Sequence, residues 1–166
     1  MAAMAGGLAK LAGVARAAGL AALFGALLTG ATAAAPTVWQ DNTTGLAIGG
    51  YDPVAYFTDR EPRRGQAALE YAWRDAVFRF ANVGNLQAFA RDPRIYAPRF
   101  SGFDPYAASL GIAVEGEPEL WAIRGDRLYL FESAHNRDLW AREPDAVLAR
   151  AERQWPALAV RLPALP

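Results

Sequence analysis

The chain has 166 residues, no cysteine, two methionines and a single histidine, His135. Without cysteine it can form no disulfide, iron–sulfur cluster or thiolate metal site within itself, and both methionines, Met1 and Met4, lie at its start. Its formal net charge is zero, which argues against a nucleic-acid partner because phosphate binding depends on clustered basic side chains.

Residues 1–34 predict a secretory signal peptide. Lys10 and Arg16 are the only charged residues there, an apolar run over 17–28 follows, and small residues over 29–35 offer a cleavage site. This run is short for a bilayer span, which favours a cleaved leader over a retained membrane anchor. The retained anchor is the alternative, and it is the only route by which we expect the protein to bind a membrane. Export predicts a periplasmic or secreted protein. Without the leader, 15 arginines and 17 acidic residues give a net charge of −2.

The next segment, residues 36–48, predicts an extended lead-in. Asp52-Pro53 follows it, and Asp104-Pro105 repeats this dipeptide 52 positions later. In each pair Asp can accept hydrogen bonds from the first free N–H groups of a helix, and Pro suits the first helical position because no donor is needed there. The two pairs predict short helices that end near Thr58 and Gly111.

Each short helix is followed by a predicted β-hairpin and a second helix. The hairpins are expected over 69–80 and 119–131, where apolar side chains alternate on both sides of a two-residue turn. Asn82 and Ser133 are suited to cap the helices that come next, and each of these helices ends ahead of a proline.

The last predicted helix covers residues 144–154 and has one apolar face. Residues 159–166 predict a C-terminal tail, because the chain beyond Trp155 is apolar and interrupted by Pro.

Residues 50–93 match residues 102–144 at an offset of 52 and then 51, in residue type as well as in predicted element. The sequence therefore predicts an α+β fold: one small domain with two β-hairpins and short helices, built by internal duplication with a twofold relation. Chance agreement between two hairpin–helix units is the alternative.

Asp52 and Asp104 are the polar pair that such a repeat could bring together. Two carboxylates could bind a hard cation or act as acid and base, with His135 as a third group. Alternatively, each Asp only caps its own helix, which accounts for residue type and spacing without a ligand. A lone His near a helix start is more often a surface residue, and no serine lies in a nucleophile motif, so no catalytic residue is predicted.

Aromatic side chains surround both helix starts and predict either core packing or the lining of a ligand pocket. The first start carries Tyr51, Tyr56 and Phe57, and the second carries Phe103 and Tyr106. The candidate ligand-binding residues are therefore Tyr51, Asp52, Tyr56, Phe103, Asp104 and Tyr106.

The stretch Gly50-Tyr51-Asp52-Pro53-Val54-Ala55-Tyr56-Phe57 resembles the opening signature of bacterial YHS domain-containing proteins. Residues 78–82, with Phe89 and the segment 92–98, are similar to that family's hairpin, helix and proline block. The resemblance covers residues 46–158 and implies an exported, single-domain YHS-like protein. Asp104 occupies the position of the family's usual cysteine, which removes the thiol that a soft-metal or redox role would need.

Together, the residues and the resemblance predict a non-enzymatic binding or sensing module without a cofactor. Its partner would be a small molecule or an envelope protein, bound between the two Asp-Pro helix starts. One alternative is a metal-binding protein or metal-dependent acid/base enzyme that uses Asp52, Asp104 and His135. The other is a structural partner in an envelope complex, which predicts an exposed apolar patch instead of a concave pocket.

Overall fold

A computed structural model describes Gln40 and residues 44–162. The predicted signal peptide, most of the predicted lead-in and residues 163–166 lie outside this part of the chain. The described elements in chain order are α1 (Ala55–Thr58), β1 (Gln66–Trp73), β2 (Ala76–Phe80), α2 (Val83–Arg91), α3 (Pro93–Tyr96), α4 (Pro105–Ser109), β3 (Glu117–Arg124), β4 (Arg127–Phe131), α5 (Ala134–Arg142) and α6 (Pro144–Ala159). Short 3-10 turns, Ile48–Gly50 and Arg99–Gly102, precede α1 and α4.

Helices and two separate antiparallel hairpins confirm the predicted small α+β domain. β1 pairs with β2, and β3 pairs with β4, each as a two-stranded sheet. Both hairpins begin earlier than predicted, at Gln66 and Glu117, because a register shift in the first strand allows pairing to continue beyond the regular ladder. None of the helices in the described part combines the length and apolar character needed to cross a membrane.

The described part of the predicted lead-in is held by single bridges. Leu46 pairs in parallel with Val77 of β2, and Gln40 pairs antiparallel with Ala47. The lead-in ends one residue before its predicted limit, because Ile48 already belongs to the first 3-10 turn.

The two halves repeat one another in backbone conformation. Ile48, Gly49 and Gly50 all have positive φ angles, and the residues 52 positions later, over 100–102, do so too. The hairpin turns also agree, with φ of 50° and 61° at Arg74 and Asp75 and of 53° and 54° at residues 125 and 126. Positive φ at a non-glycine residue is uncommon, so the shared pattern, with Ile48 matching Phe100 and Asp75 matching Asp126, confirms the predicted repeat and extends it upstream to Ile48.

The core follows the same repeat. Phe89 of α2 packs on Phe80 of β2 with ring centroids 5.2 Å apart and ring planes at 54°, and Trp140 of α5 packs on Phe131 of β4 with the same two values. Helices α2 and α5 therefore each pack one large aromatic ring against the hairpin that precedes them in the chain. A third buried cluster joins the first helix start to the second hairpin and comprises Ile48, Tyr51, Tyr56, Leu128 and Leu130.

Helix α6 continues through Pro156 to Ala159, so the predicted end near Gln154 is wrong. Proline removes one backbone hydrogen bond from a helix interior and is normally unfavourable there. Tertiary packing offsets this cost, because Trp155 packs against two aromatic rings and Leu158 is buried in the same cluster.

Candidate functional site

Asp52 is fully buried, and four donors occupy its carboxylate oxygens. Oδ1 accepts the backbone N–H groups of Val54 at 2.8 Å and Ala55 at 3.3 Å. Oδ2 accepts the backbone N–H of Ala81 at 2.8 Å and the side-chain amide of Asn85 at 2.7 Å. The carboxylate therefore ties the start of α1 to the end of β2 and to the first turns of α2.

Asp104 is equally buried and repeats this network. Its Oδ1 accepts the backbone N–H groups of Tyr106 at 2.7 Å and Ala107 at 3.1 Å. Its Oδ2 accepts the backbone N–H of Glu132 at 2.8 Å and the side-chain amide of Asn136 at 2.9 Å. Both Asp side chains thus cap their own helices, and each also braces the hairpin and helix that follow.

The metal hypothesis finds little geometric support. His135 is exposed in the first turn of α5. Across Gln40 and residues 44–162, no three His, Asp or Glu side chains are grouped so that they could hold a metal ion, so Asp52, Asp104 and His135 do not form such a group. The lone pairs that a cation would use at each Asp already accept hydrogen bonds from the chain.

The aromatic candidates divide between two apolar clusters. Tyr51 and Tyr56 belong to the cluster that includes Leu128 of β4. Phe103 belongs to the cluster beneath α6, with Tyr106 packed against it. Tyr56 and Phe103 therefore act first as core side chains of different parts of the domain.

Tyr51 also lines an open depression of about 580 Å³. The Arg64 guanidinium lies over its ring at 4.1 Å, and its hydroxyl donates to Oε1 of Glu119 at 2.9 Å. Burial, together with the bond to Glu119, raises the pKa of Tyr51. Arg64 also donates to the carbonyl of Gly49, so Arg64 and Glu119 already have partners within the depression.

A second cleft, of about 430 Å³, gathers side chains from both halves of the repeat. We call it the arginine cleft. Its charged lining consists of four arginines and one glutamate, and three of its other lining residues are aromatic. These residues are Arg74, Arg94, Arg99, Arg127, Glu152, Trp73, Phe100 and Trp155.

Two arginines of the cleft have carboxylate partners. Arg99 Nη2 lies 3.0 Å from Oε1 of Glu152, and Arg94 Nε lies 3.2 Å from Oδ1 of Asp92. The hydrogen bonds from Arg94 lower the pKa of Asp92. Exposed pairs of this kind contribute little to stability and exchange partners readily.

The other two arginines keep most of their donors free. The Arg74 guanidinium lies over the ring of Trp73 at 4.5 Å, and Arg127 donates one bond, of 3.2 Å, to the carbonyl of Arg94. Within the described part of the chain, neither Arg74 nor Arg127 has a carboxylate partner.

No protein-family model, curated protein or solved structure significantly matches this chain. The resemblance of residues 50–57 to the YHS signature therefore stays a prediction.

The sequence analysis singled out no residue of the arginine cleft. A signal was present in the repeat, because Trp73 and Arg94 correspond at an offset of 51 to Arg124 and Asp145. In the second half these counterparts form an ion pair, in which Arg124 Nη2 lies 2.8 Å from both carboxylate oxygens of Asp145. The first half has an aromatic ring, Trp73, and one cation, Arg94, at those positions, so no such ion pair can form between them.

Tyr56 offers a pH-dependent test of the packing at the first helix start. Its side chain is fully buried, its hydroxyl donates to the carbonyl of Pro118 at 3.0 Å, and burial raises its pKa far above the usual value. In the unfolded chain tyrosine ionises near pH 10, so above this pH the unfolded state loses a proton that the folded state retains. Stability is therefore fully present below about pH 10 and falls as the pH rises further, by up to about 1.4 kcal/mol per pH unit for this group.

We expect urea unfolding of the protein between pH 8 and 12 to show this loss of stability, and we expect Tyr56→Phe to show a smaller one. Tyr51 and Tyr129, whose pKa values are also raised by burial, account for the remaining dependence. The chain has a single lysine, Lys10, which lies in the predicted signal peptide. An unchanged pH dependence in Tyr56→Phe would show that Tyr56 is not the buried neutral group described above.

Proposed function

We propose that this chain is a non-enzymatic binding module that takes a small molecule in the arginine cleft, and that it works outside the cytoplasm as an exported YHS-like domain. The observation that carries the proposal is the convergence of Trp73 and Arg74 from the first hairpin with Arg127 of the second hairpin and Trp155 of α6. The volume of the arginine cleft, about 430 Å³, is typical of small-molecule sites, which span roughly 300–1,000 Å³.

The lining of the cleft supports binding over catalysis. General acid–base chemistry needs a titratable group placed against the substrate, and nucleophilic catalysis needs a nucleophile beside a base. The one carboxylate of the lining, Glu152, is paired with Arg99, and the hydroxyl of the lining Ser101 has no His beside it there. Asp52 and Asp104 serve as internal braces, which leaves them no free oxygen lone pair for acid/base work.

The structural-partner alternative has less support. The large apolar side chains that are exposed in the described part lie on separate segments: Val83, Ile95, Leu110, Ile112 and Val160. Only Leu110 and Ile112 share a loop, whereas a docking patch needs a contiguous apolar area of several hundred Å².

The test is a search for a ligand with the processed protein purified from its own envelope fraction. Native mass spectrometry would weigh a retained molecule, and thermal unfolding against a library of neutral, cationic and anionic metabolites would reveal compounds that raise Tm. Because a ligand stabilises only the state that binds it, we expect at least one such compound.

Trp73→Leu should remove the shift in Tm, since it takes an indole out of the cleft. Trp121→Leu is the matched control, because its indole packs against Tyr56 away from the cleft lining. The proposal is wrong if no compound is retained or stabilising, or if the shift survives Trp73→Leu and disappears in Trp121→Leu.

A further inference from the structure

We propose that the ligand of the arginine cleft is an organic anion with a flat aromatic portion, its acidic group held by Arg74 and Arg127. This inference rests on the function proposed above, because it names the ligand class of the same site.

The charge of the lining favours an anion. Four arginines and one glutamate give the cleft a formal charge of +3, whereas the chain without its leader has a net charge of −2. Positive charge is therefore concentrated here against an acidic background. A concave surface lined by one sign of charge raises the local concentration of ligands of the opposite sign.

The free donors belong to Arg74 and Arg127. A guanidinium presents a planar fork that binds a carboxylate or phosphate through two parallel hydrogen bonds. The contact of Arg74 with the Trp73 ring at 4.5 Å and the bond from Arg127 to the Arg94 carbonyl at 3.2 Å limit the motion of both side chains. Fixing these side chains before the ligand arrives lowers the entropy that binding costs.

The remaining lining favours a flat apolar body attached to the anion. Trp73, Phe100 and Trp155 all reach the cleft, and the rings of Phe100 and Trp155 lie 5.6 Å apart at 77°. Aromatic ligands gain from offset or edge-to-face contacts with such rings. An inorganic anion would leave these rings uncovered, and a neutral ligand would cover the guanidinium groups without supplying a compensating negative charge.

Naphthalene-2-carboxylate is a suitable probe, with naphthalene-2-carboxamide as its neutral isostere and inorganic phosphate as the anion without a ring. Binding to the exported protein would be measured by calorimetry and by quenching of tryptophan fluorescence. We expect the carboxylate to bind at least about tenfold more tightly than either control compound, as a charge-assisted pair predicts. Its affinity should fall as salt is added.

Arg74→Gln and Arg127→Gln should each lower the affinity for naphthalene-2-carboxylate by about tenfold, and the double variant should lower it further. Arg142→Gln is the matched control: it removes the same charge from an exposed residue at the end of α5 that lies outside the cleft lining. Its affinity for the probe should be that of the unchanged protein.

The outcomes separate this inference from the proposed function. Equal binding of the carboxamide, equal binding of phosphate, or probe binding that persists in the double variant would overturn the inference. A neutral or cationic library compound that binds the cleft and loses its effect in Trp73→Leu would also overturn it, while the proposed binding function would stand. If no compound of any charge occupies the cleft, both fail.

Discussion

Replacing Asp52 with alanine is expected to lower the free energy of unfolding by about 3–5 kcal/mol, as judged from the cost of leaving buried donors unpaired. The substitution removes the acceptor for Val54, Ala55, Ala81 and Asn85 together. A single unsatisfied buried donor costs about 1–3 kcal/mol, and the four are not additive because they share one side chain. Urea unfolding of the protein would measure the change.

Asp92→Ala is the matched control for this prediction. Asp92 also precedes a proline and caps a helix, accepting the backbone N–H of Arg94 at 3.1 Å, but it is neither buried nor connected to another element. We expect this variant to lose only about 1 kcal/mol, the usual cost of an exposed N-cap. Equal losses in Asp52→Ala and Asp92→Ala would contradict the role of Asp52 as an internal brace.

If Asp52→Ala does not fold, smaller changes keep the prediction testable. Asn85→Ala removes one of the four donors and should cost about 1–2 kcal/mol, and Asn136→Ala should cost a similar amount in the second half. The metal hypothesis makes a different prediction, since a metal bound at Asp52 would make Tm depend on chelator. We expect EDTA to leave Tm unchanged, and a fall in Tm would restore the metal interpretation.

Local chemistry explains why much of the fold could be predicted from sequence. An N-cap depends on residues within three positions of one another, so Asp104 ahead of Pro105 was sufficient to place α4. A hairpin with a two-residue turn is equally local, and Gly125-Asp126 lies at the turn between β3 and β4 as predicted. The end of α6 could not be predicted in this way. Trp155 and Leu158 pack against residues that are distant in the sequence, and this packing overrides the local effect of Pro156.

The site was less predictable because its contacts are long-range. Asn85 reaches Asp52 across 33 positions, and no local rule connects an amide in a helix with a carboxylate in a preceding loop. The repeat still carried a hint, since Asn85 and its counterpart Asn136 are amides inside helices, where Asn is not favoured without a specific partner. For the arginine cleft, the arginines alone gave no hint, because exposed arginines are common on protein surfaces, and only the departure of Trp73 and Arg94 from the repeat pointed to it.

Replacing Gly65 with alanine is the second change from which we expect a large effect. Gly65 donates its N–H to the carbonyl of Gly50 at 2.9 Å just before β1, and a Cβ atom there would lie 2.4 Å from the backbone carbon of Arg79 in β2. Backbone atoms cannot move aside as a flexible side chain can, so hairpin and helix start would have to separate. We expect a loss of about 3 kcal/mol or more, at the upper end of overpacking effects.

Gly116 repeats this close approach in the second half. Its Cβ atom would lie 2.6 Å from Cβ of Leu130, and its N–H donates to the carbonyl of Gly102 at 3.0 Å. Gly116→Ala should therefore be comparably destabilising, which makes the pair a test of the repeat as well as of each contact.

Gly111→Ala separates steric crowding from backbone preference. Gly111 has a φ of +81° with nothing within 4 Å of the added Cβ, so the variant should lose only about 1 kcal/mol, the cost of the left-handed conformation. Gly65 and Gly116 have no positive φ, and their expected loss comes from contact alone. If urea unfolding shows Gly65→Ala to be no worse than Gly111→Ala, β2 does not approach Gly65 as closely as described.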